Sequence, residues 1–312
     1  MNWKPIVAGV DGSDASVRAA TIAAMIARRA GVRCQLVYAM PDYARMLQRE
    51  GLVVDVATFA AGAQRNDRDA VLTSLQGQVP DELRDGLLVM TGRPGTVIRQ
   101  AAEELDAGLI VLGSRKRRHD GWLWARLARY LARATDIPLL VGEGGSPVIH
   151  RILVALDLSP ASRRTWDTAT AWAGLFGAEL RALHVDEPML PMIGPTLPLA
   201  AATPYVHALQ RSELWAGIAD AQKTVRTGPP AEAITEEAAE WRADLVIVGS
   251  HGHGWTDRML LGGTAEQLMH HPPALTLVVP SALPGATKEP APALPWEEPL
   301  GSQAGLAGVP AR

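Results

Sequence analysis

The sequence predicts an α/β fold made of two tandem, doubly wound parallel five-stranded sheets with helices on both faces. Three observations lead there. Short runs of β-branched and aliphatic residues, such as Ile6-Val7-Ala8-Gly9-Val10 and Leu245-Val246-Ile247-Val248, lack polar alternation and so suit strands buried on both faces of a parallel sheet. These runs alternate with alanine-rich helical stretches, as parallel strands require, because each crossover must return the chain to the same end of the sheet. The alternation is also written twice along the chain.

Taken in order, strand Ile6–Val10 runs into Asp11-Gly12-Ser13-Asp14-Ala15-Ser16 and a helix over about Val17–Ala30. Ile152–Leu156 runs likewise into Asp157-Leu158-Ser159-Pro160-Ala161-Ser162 and a helix ending near Phe176, a shift of 146 residues from Ile6 to Ile152. The second strands, Cys34–Ala39 and Leu180–Val185, keep that shift. Thr91-Gly92-Arg93-Pro94 then matches Thr227-Gly228-Pro229-Pro230, and Leu109–Ser114 matches Leu245–Ser250, at a shift of 136. The first copy therefore carries ten extra residues between its second and fourth strands. Pro138–Val141 and Thr276–Val279 are the final strands. Each copy reads β-α-β-loop-α-β-α-β-α-β.

Since an open apolar edge invites aggregation, the two final strands are expected to lie against each other and make the chain an intrachain pseudo-dimer. The excursions Pro41–Ala57 and Asp186–Thr203 are expected as flaps over the strand ends. Residues 1–145 and 149–281 form the two predicted domains, and the Pro/Ala-rich stretch 282–312, without apolar periodicity, is expected to be a disordered tail.

Composition narrows the function classes. A chain of 312 residues is long enough for two cores, and a net charge of −3 provides no overall drive toward nucleic acid. Cys34, the single cysteine, cannot form an intrachain disulfide, and its strand context suggests a buried thiol in a reducing compartment. The first apolar run stops at Asp11, too short for a secretory leader, and no run reaches membrane-spanning length. A cytoplasmic protein without membrane or nucleic-acid partners is expected.

The densest functional signal is Asp244–Thr264, D-L-V-I-V-G-S-H-G-H-G-W-T-D-R-M-L-L-G-G-T. After the strand, Gly249 and Gly252 let backbone approach a ligand, while Gly262-Gly263-Thr264 precedes a helix whose free N–H groups and dipole favour an anion. The spacing Gly249-x2-Gly252-x9-Gly262 is the specific part. It resembles the ATP-binding signature of universal stress proteins, G-x2-G-x9-G-S/T. Position 263, where that pattern has Ser or Thr, is Gly here, with Thr264 one place later.

The resemblance extends over both copies, about Lys4–Pro280. It implies a Rossmann-like, adenine nucleotide alpha hydrolase-like fold and a regulatory role in stress adaptation, with ATP, alone or with Mg, held mainly by the second copy. By the same resemblance Asp157 faces the nucleotide, Val185 presents backbone to the adenine edge, and Ala155 and Val248 line the base. Gly249, His251, Gly252, His253, Gly262, Gly263 and Thr264 lie near the phosphates, and Gly228, at a strand end, completes the nucleotide-binding set. Asp157 has a competing reading as a cap for the helix that follows, a duty for which Ser159 also competes.

Other chemistry finds no support in the residues. His251, His253, His270 and His271 lack the Cys or carboxylate partners of a metal site. The Walker loop, a G-x-G-x-x-G turn and a nucleophile elbow are all missing, and no residue stands out to position water at a γ-phosphate. A binding protein rather than an enzyme is expected, with a nucleotide-free interaction scaffold or, more remotely, a slow ATPase as the alternatives. Its partners would be an adenine nucleotide and an unidentified protein, with homodimerisation left open. In the first copy the loop reads Gly113-Ser114-Arg115-Lys116-Arg117-Arg118, with Lys116 at the place of Gly252 and, allowing one deletion, Ala125-Arg126 at the place of the Gly pair. This copy is not expected to hold ATP. Its basic run suits an anion, a partner or plain solvation.

Overall fold

The structure is a computed structural model, described here for residues 3–49, 56–114, 121–142, 148–187, 212–219, 222–251 and 261–281. The first copy comprises β1 (Ile6–Val10), α1 (Asp14–Ala30), β2 (Cys34–Met40), α2 (Tyr43–Arg49), α3 (Val56–Leu75), α4 (Asp81–Asp85), β3 (Leu88–Thr91), α5 (Pro94–Glu104), β4 (Leu109–Gly113), α6 (Gly121–Ala134) and β5 (Leu139–Gly142). The second has β6 (Arg151–Ala155), α7 (Ser162–Phe176), β7 (Glu179–Asp186), α8 (Glu213–Gly217), β8 (Lys223–Thr227), α9 (Pro230–Glu240), β9 (Leu245–Gly249), α10 (Gly263–His270) and β10 (Leu275–Val279).

Local chemistry sets the helix limits. Ser13 caps α1 by accepting from Ser16 N–H, and Gly31, left-handed at φ 66°, closes it with an N–H to Ala27 O. Gly177 closes α7 in the same way, at φ 64° onto Ala173 O. Both α5 and α9 open on a proline, which has no N–H to leave unsatisfied in a first turn.

All ten strands form one sheet in the order β3-β2-β1-β4-β5-β10-β9-β6-β7-β8. Within each half the pairing is parallel. The halves meet through β5 and β10, which run antiparallel with Val141 opposite Thr276, Leu140 opposite Leu277 and Leu139 opposite Val278. The two final strands thus join the copies, as expected, and merge two five-stranded sheets into one. Their buried apolar side chains could not face water without loss of about 1.5–3 kcal/mol each.

Each face of the sheet carries its own core, and both cores cross the junction. One gathers Ile26 of α1, Leu75 of α3, Trp172 of α7 and Trp215 of α8 against Ile6, Leu140, Ile152 and Leu277. The other packs α5, α6, α9 and α10 onto Val7, Val141, Leu153 and Val278. Helix α1 reaches across the halves at its end, where Arg29 donates to Leu175 O at 2.6 Å and Phe176 O at 3.1 Å, neutralising the negative C-terminus of α7.

One expectation changes. The Pro41–Ala57 excursion, expected as a loop, contains α2 and the start of α3, tied together by Tyr43 and Tyr38, both of which donate to Asp67 Oδ2. The other expected flap and the tail fall largely outside the described residues, which stop at 187 and resume at 212, and end at 281.

Candidate functional site

In each half the chain moves outward from the first strand and then returns on its other side, so the strand order reverses between β6 and β9 in the second copy. Ligands of such sheets sit at the carboxyl ends beside that reversal. Ala155, Val185 and Val248 lie at or one residue before the ends of their strands on a common face, the one covered by α9 and α10. Val248 is buried, and the other two are partly exposed. Pairing of β6 with β7 ends at Ala155 opposite Leu183, and Leu183 O accepts from Leu156 N. Two residues further on, Val185 directs its peptide groups to the same side, past the end of β6. That is the geometry needed to read the edge of a planar base.

The turn after β6 is organised by Asp157. Its Oδ1 accepts from Ser159 N at 3.1 Å, from Ser159 Oγ at 2.8 Å and from the Ser162 hydroxyl at the start of α7. In the first copy Asp11 Oδ1 takes the matching bonds from Ser13 N and Oγ, at 3.0 and 2.6 Å. The carboxylate at this position therefore ties the turn to the helix that follows. The residue after it is left-handed in both copies, Gly12 at φ 79° and Leu158 at φ 63°. A leucine pays about 1–2 kcal/mol for that conformation. Nothing in the sequence flagged this strain.

Beyond β9, Ser250 is a junction that motif reading passed over. It is 1% exposed. Its N–H reaches Val279 O at 2.8 Å, its carbonyl accepts from Gly262 N at 2.9 Å, and its Oγ accepts from Ser281 N at 2.9 Å and lies 2.9 Å from His251 Nδ1. One residue thus fixes the ends of β9 and β10 and the N-cap of α10. The signal was present in the repeat, since the equivalent Ser114, also buried, reaches Gly142 O at 2.9 Å.

Gly262 is the N-cap of α10, with Gly263 and Thr264 as its first helical residues. A Cβ built on Gly263 would meet nothing within 4 Å, so there is open space beside the first residue of α10. Gly252 and His253 lie outside the described residues. Gly228, at φ 141°, ends β8 with its N–H on Asp186 O at 3.1 Å and leads through Pro229 into α9, again with open space around it. Ala155, Val185 and Val248 thus share one face with the helices that begin after Gly228 and Gly262. Asp157 belongs to its own turn.

Helix α9 is anchored by a buried ion cluster. Glu237 accepts from Arg181 Nη1 at 2.8 Å and from Arg226 Nε at 2.6 Å, and Arg226 also pairs with Glu240. The Arg181 guanidinium lies 4.4 Å from the centroid of Trp241. Burial raises the Glu237 carboxyl, but the hydrogen bonds and charges of the two arginines outweigh it and hold the group below the usual range.

The first copy shares the acidic turn and the buried serine but differs at the helix that follows its fourth strand. Helix α6 begins at Gly121, so Ala125 and Arg126, matched by sequence to the glycine pair, stand inside the helix with Ala125 buried. Their N–H groups are not at a helix N-terminus. Lys116 lies outside the described residues. Cys34 is partly buried, and burial pushes its thiol up to about 12, which makes it a poor nucleophile.

Among the described residues no helix is long and apolar enough to cross a membrane. The model of the universal stress protein family matches twice, over residues 2–141 and 149–280. A universal stress protein of Mycolicibacterium smegmatis is 30% identical over 238 residues, covering 72% of this chain and 80% of that protein. One from Thermus aquaticus is 30% identical over 132 residues, 41% of this chain and 96% of its own length. The crystal structure of a universal stress protein from Archaeoglobus fulgidus superposes with a TM-score of 0.58 at 19% identity, covering 89% of this chain and 96% of that one. With one continuous sheet built from two matched repeats, the chain belongs to the universal stress protein family as a tandem of two of its units.

Proposed function

We propose that the second copy binds ATP and that the protein acts by binding rather than by turnover, as a regulatory element in stress adaptation. The observation that carries this reading is the N-terminus of α10, with open space beside its first residue and pinned to the strand ends by Ser250, on the face where Ala155, Val185 and Val248 lie. Adenine would lie against these three side chains with its edge on the Val185 peptide. The phosphates would lie on the N–H groups of Gly262–Thr264. The free N–H groups of a helix N-terminus are donors of the kind a phosphate needs, and three apolar side chains on one face suit a planar base. Asp157 Oδ1 is engaged by the turn, so a carboxylate contact to an accompanying magnesium would fall to Oδ2. Occupancy would favour one arrangement of the strand-end segments and so select a protein partner. A cytoplasmic setting suits such a role.

A nucleotide-free scaffold is the second reading, favoured by the absence of a hydroxyl at Gly263. Calorimetric titration with ATP and GTP, together with nucleotide assay of the denatured purified protein, separates the two. The ATP reading expects about one ATP per chain and weaker GTP binding. No binding of either, or equal affinity for both, overturns it. Turnover beyond one ATP per site would instead establish an ATPase.

A further inference from the structure

The N-terminus proposed to hold phosphate carries an acid of its own. Glu266 stands in the first turn of α10, a helix without lysine or arginine. Its counterion comes from the other copy: the Arg129 guanidinium, on α6, closes on Glu266 Oε1. His270, one turn along, is 3.9 Å from the same oxygen. Burial keeps the imidazole below its usual value, with Arg129 and His271 adding to that effect and Glu266 opposing it, so near neutral pH it supplies little positive charge. Arg129 and Glu266 are 41% and 31% exposed, so the pair is partly screened by solvent and salt.

A first-turn glutamate favours an empty helix, because it satisfies the positive end of the dipole. A phosphate draws on the same positive end, so the two anions compete. We propose that Arg129 of the first copy is a positioning residue for nucleotide phosphate at the second copy: by neutralising Glu266 it leaves the α10 N-terminus positive enough to hold an anion. The copy that lacks a glycine cradle thereby takes part in the site of the copy that has one. This inference rests on the ATP reading above.

The test is calorimetric titration of the full chain with ATP and with adenosine, for the wild type, Arg129→Ala, Arg129→Lys, Glu266→Gln and the Arg129→Ala/Glu266→Gln double variant. Arg129→Ala is expected to weaken ATP by about five- to tenfold, the lower end of ordinary coupling between sites, and to leave adenosine unchanged. Arg129→Lys should keep most of the ATP affinity, and the double variant should regain it, because the bare carboxylate is gone. Adenosine binding reports whether each variant retains the pocket. Unchanged ATP affinity in Arg129→Ala, or equal loss of ATP and adenosine, would overturn the role of Arg129. A wild-type chain that binds neither ligand would instead bring down the ATP reading and this inference with it.

Discussion

Gly113 and Gly249 end equivalent strands, yet a Cβ at Gly113 would lie 2.1 Å from the carbonyl oxygen of Ala15, while one at Gly249 would meet Thr165 Oγ1 at 3.3 Å. In the first copy the first turn of α1 presses onto the strand end, and the glycine is there to let backbone meet backbone. In the second copy the same place is tight but not closed, because the nearest atom is a side-chain hydroxyl that can turn away. Gly113→Ala should therefore cost about 2–3 kcal/mol in urea denaturation, the scale of overpacking that forces backbone to move. Gly249→Ala should cost less than about 1 kcal/mol. A cost of equal size at both positions would show that the two strand ends are packed alike.

Gly263 departs from the family pattern at a position with open space around it. A hydroxyl there has nothing to displace and would face the proposed phosphates. Gly263→Ser is expected to tighten ATP about three- to tenfold, the worth of one added hydrogen bond, without change in adenosine affinity. Weaker ATP binding in the folded variant would place the phosphates elsewhere.

Much of this architecture was legible in the sequence because its central strands are buried on both faces, which leaves uninterrupted apolar runs that short loops cannot imitate. The edge strands were harder. Lys223–Thr227 carries Lys223 and Arg226 and is recognisable mainly through the repeat. The glycines of the candidate site were legible by their spacing, although Gly228 and Gly263 have open space around them. Relations set by register were not: Arg181, Arg226 and Glu237 come from three elements, and only the parallel pairing that sets Val185 opposite Arg226 brings them together. Nor was the left-handed backbone of Leu158, because a leucine carries no mark of it.

The Glu237 cluster makes a prediction about acid. Its folded-state carboxyl lies below the usual 4.5, so its stabilising contribution is fully present above that value and is lost as the pH falls through the lower, folded one. Glu237→Gln should flatten the stability curve in that range. At neutral pH Glu237→Ala should cost about 2–3 kcal/mol, somewhat below the full cost of breaking a buried pair because both arginines are partly exposed. If wild type and Glu237→Gln lose stability in parallel below pH 4.5, the cluster does not govern acid sensitivity.

The last prediction concerns the junction of the two copies. Trp172 of α7 is 2% exposed and packs edge-on against Trp3 of the first copy at 5.7 Å, with Phe176 stacked on it at 5.9 Å. Arg29 lies 5.4 Å from the Phe176 ring while it donates to the end of α7. With both cores running through the β5–β10 pairing, neither copy can unfold without exposing apolar surface of the other. The chain should therefore unfold in one transition, with tryptophan fluorescence and far-ultraviolet circular dichroism coinciding along a urea series. Trp172→Ala should lower stability by about 3–5 kcal/mol, the usual cost of emptying a buried aromatic site. It should shift the single transition to lower urea before it splits it, because the strand pairing still joins the copies. Two separate transitions in the wild type would mean that the shared cores contribute little and that each copy holds itself together.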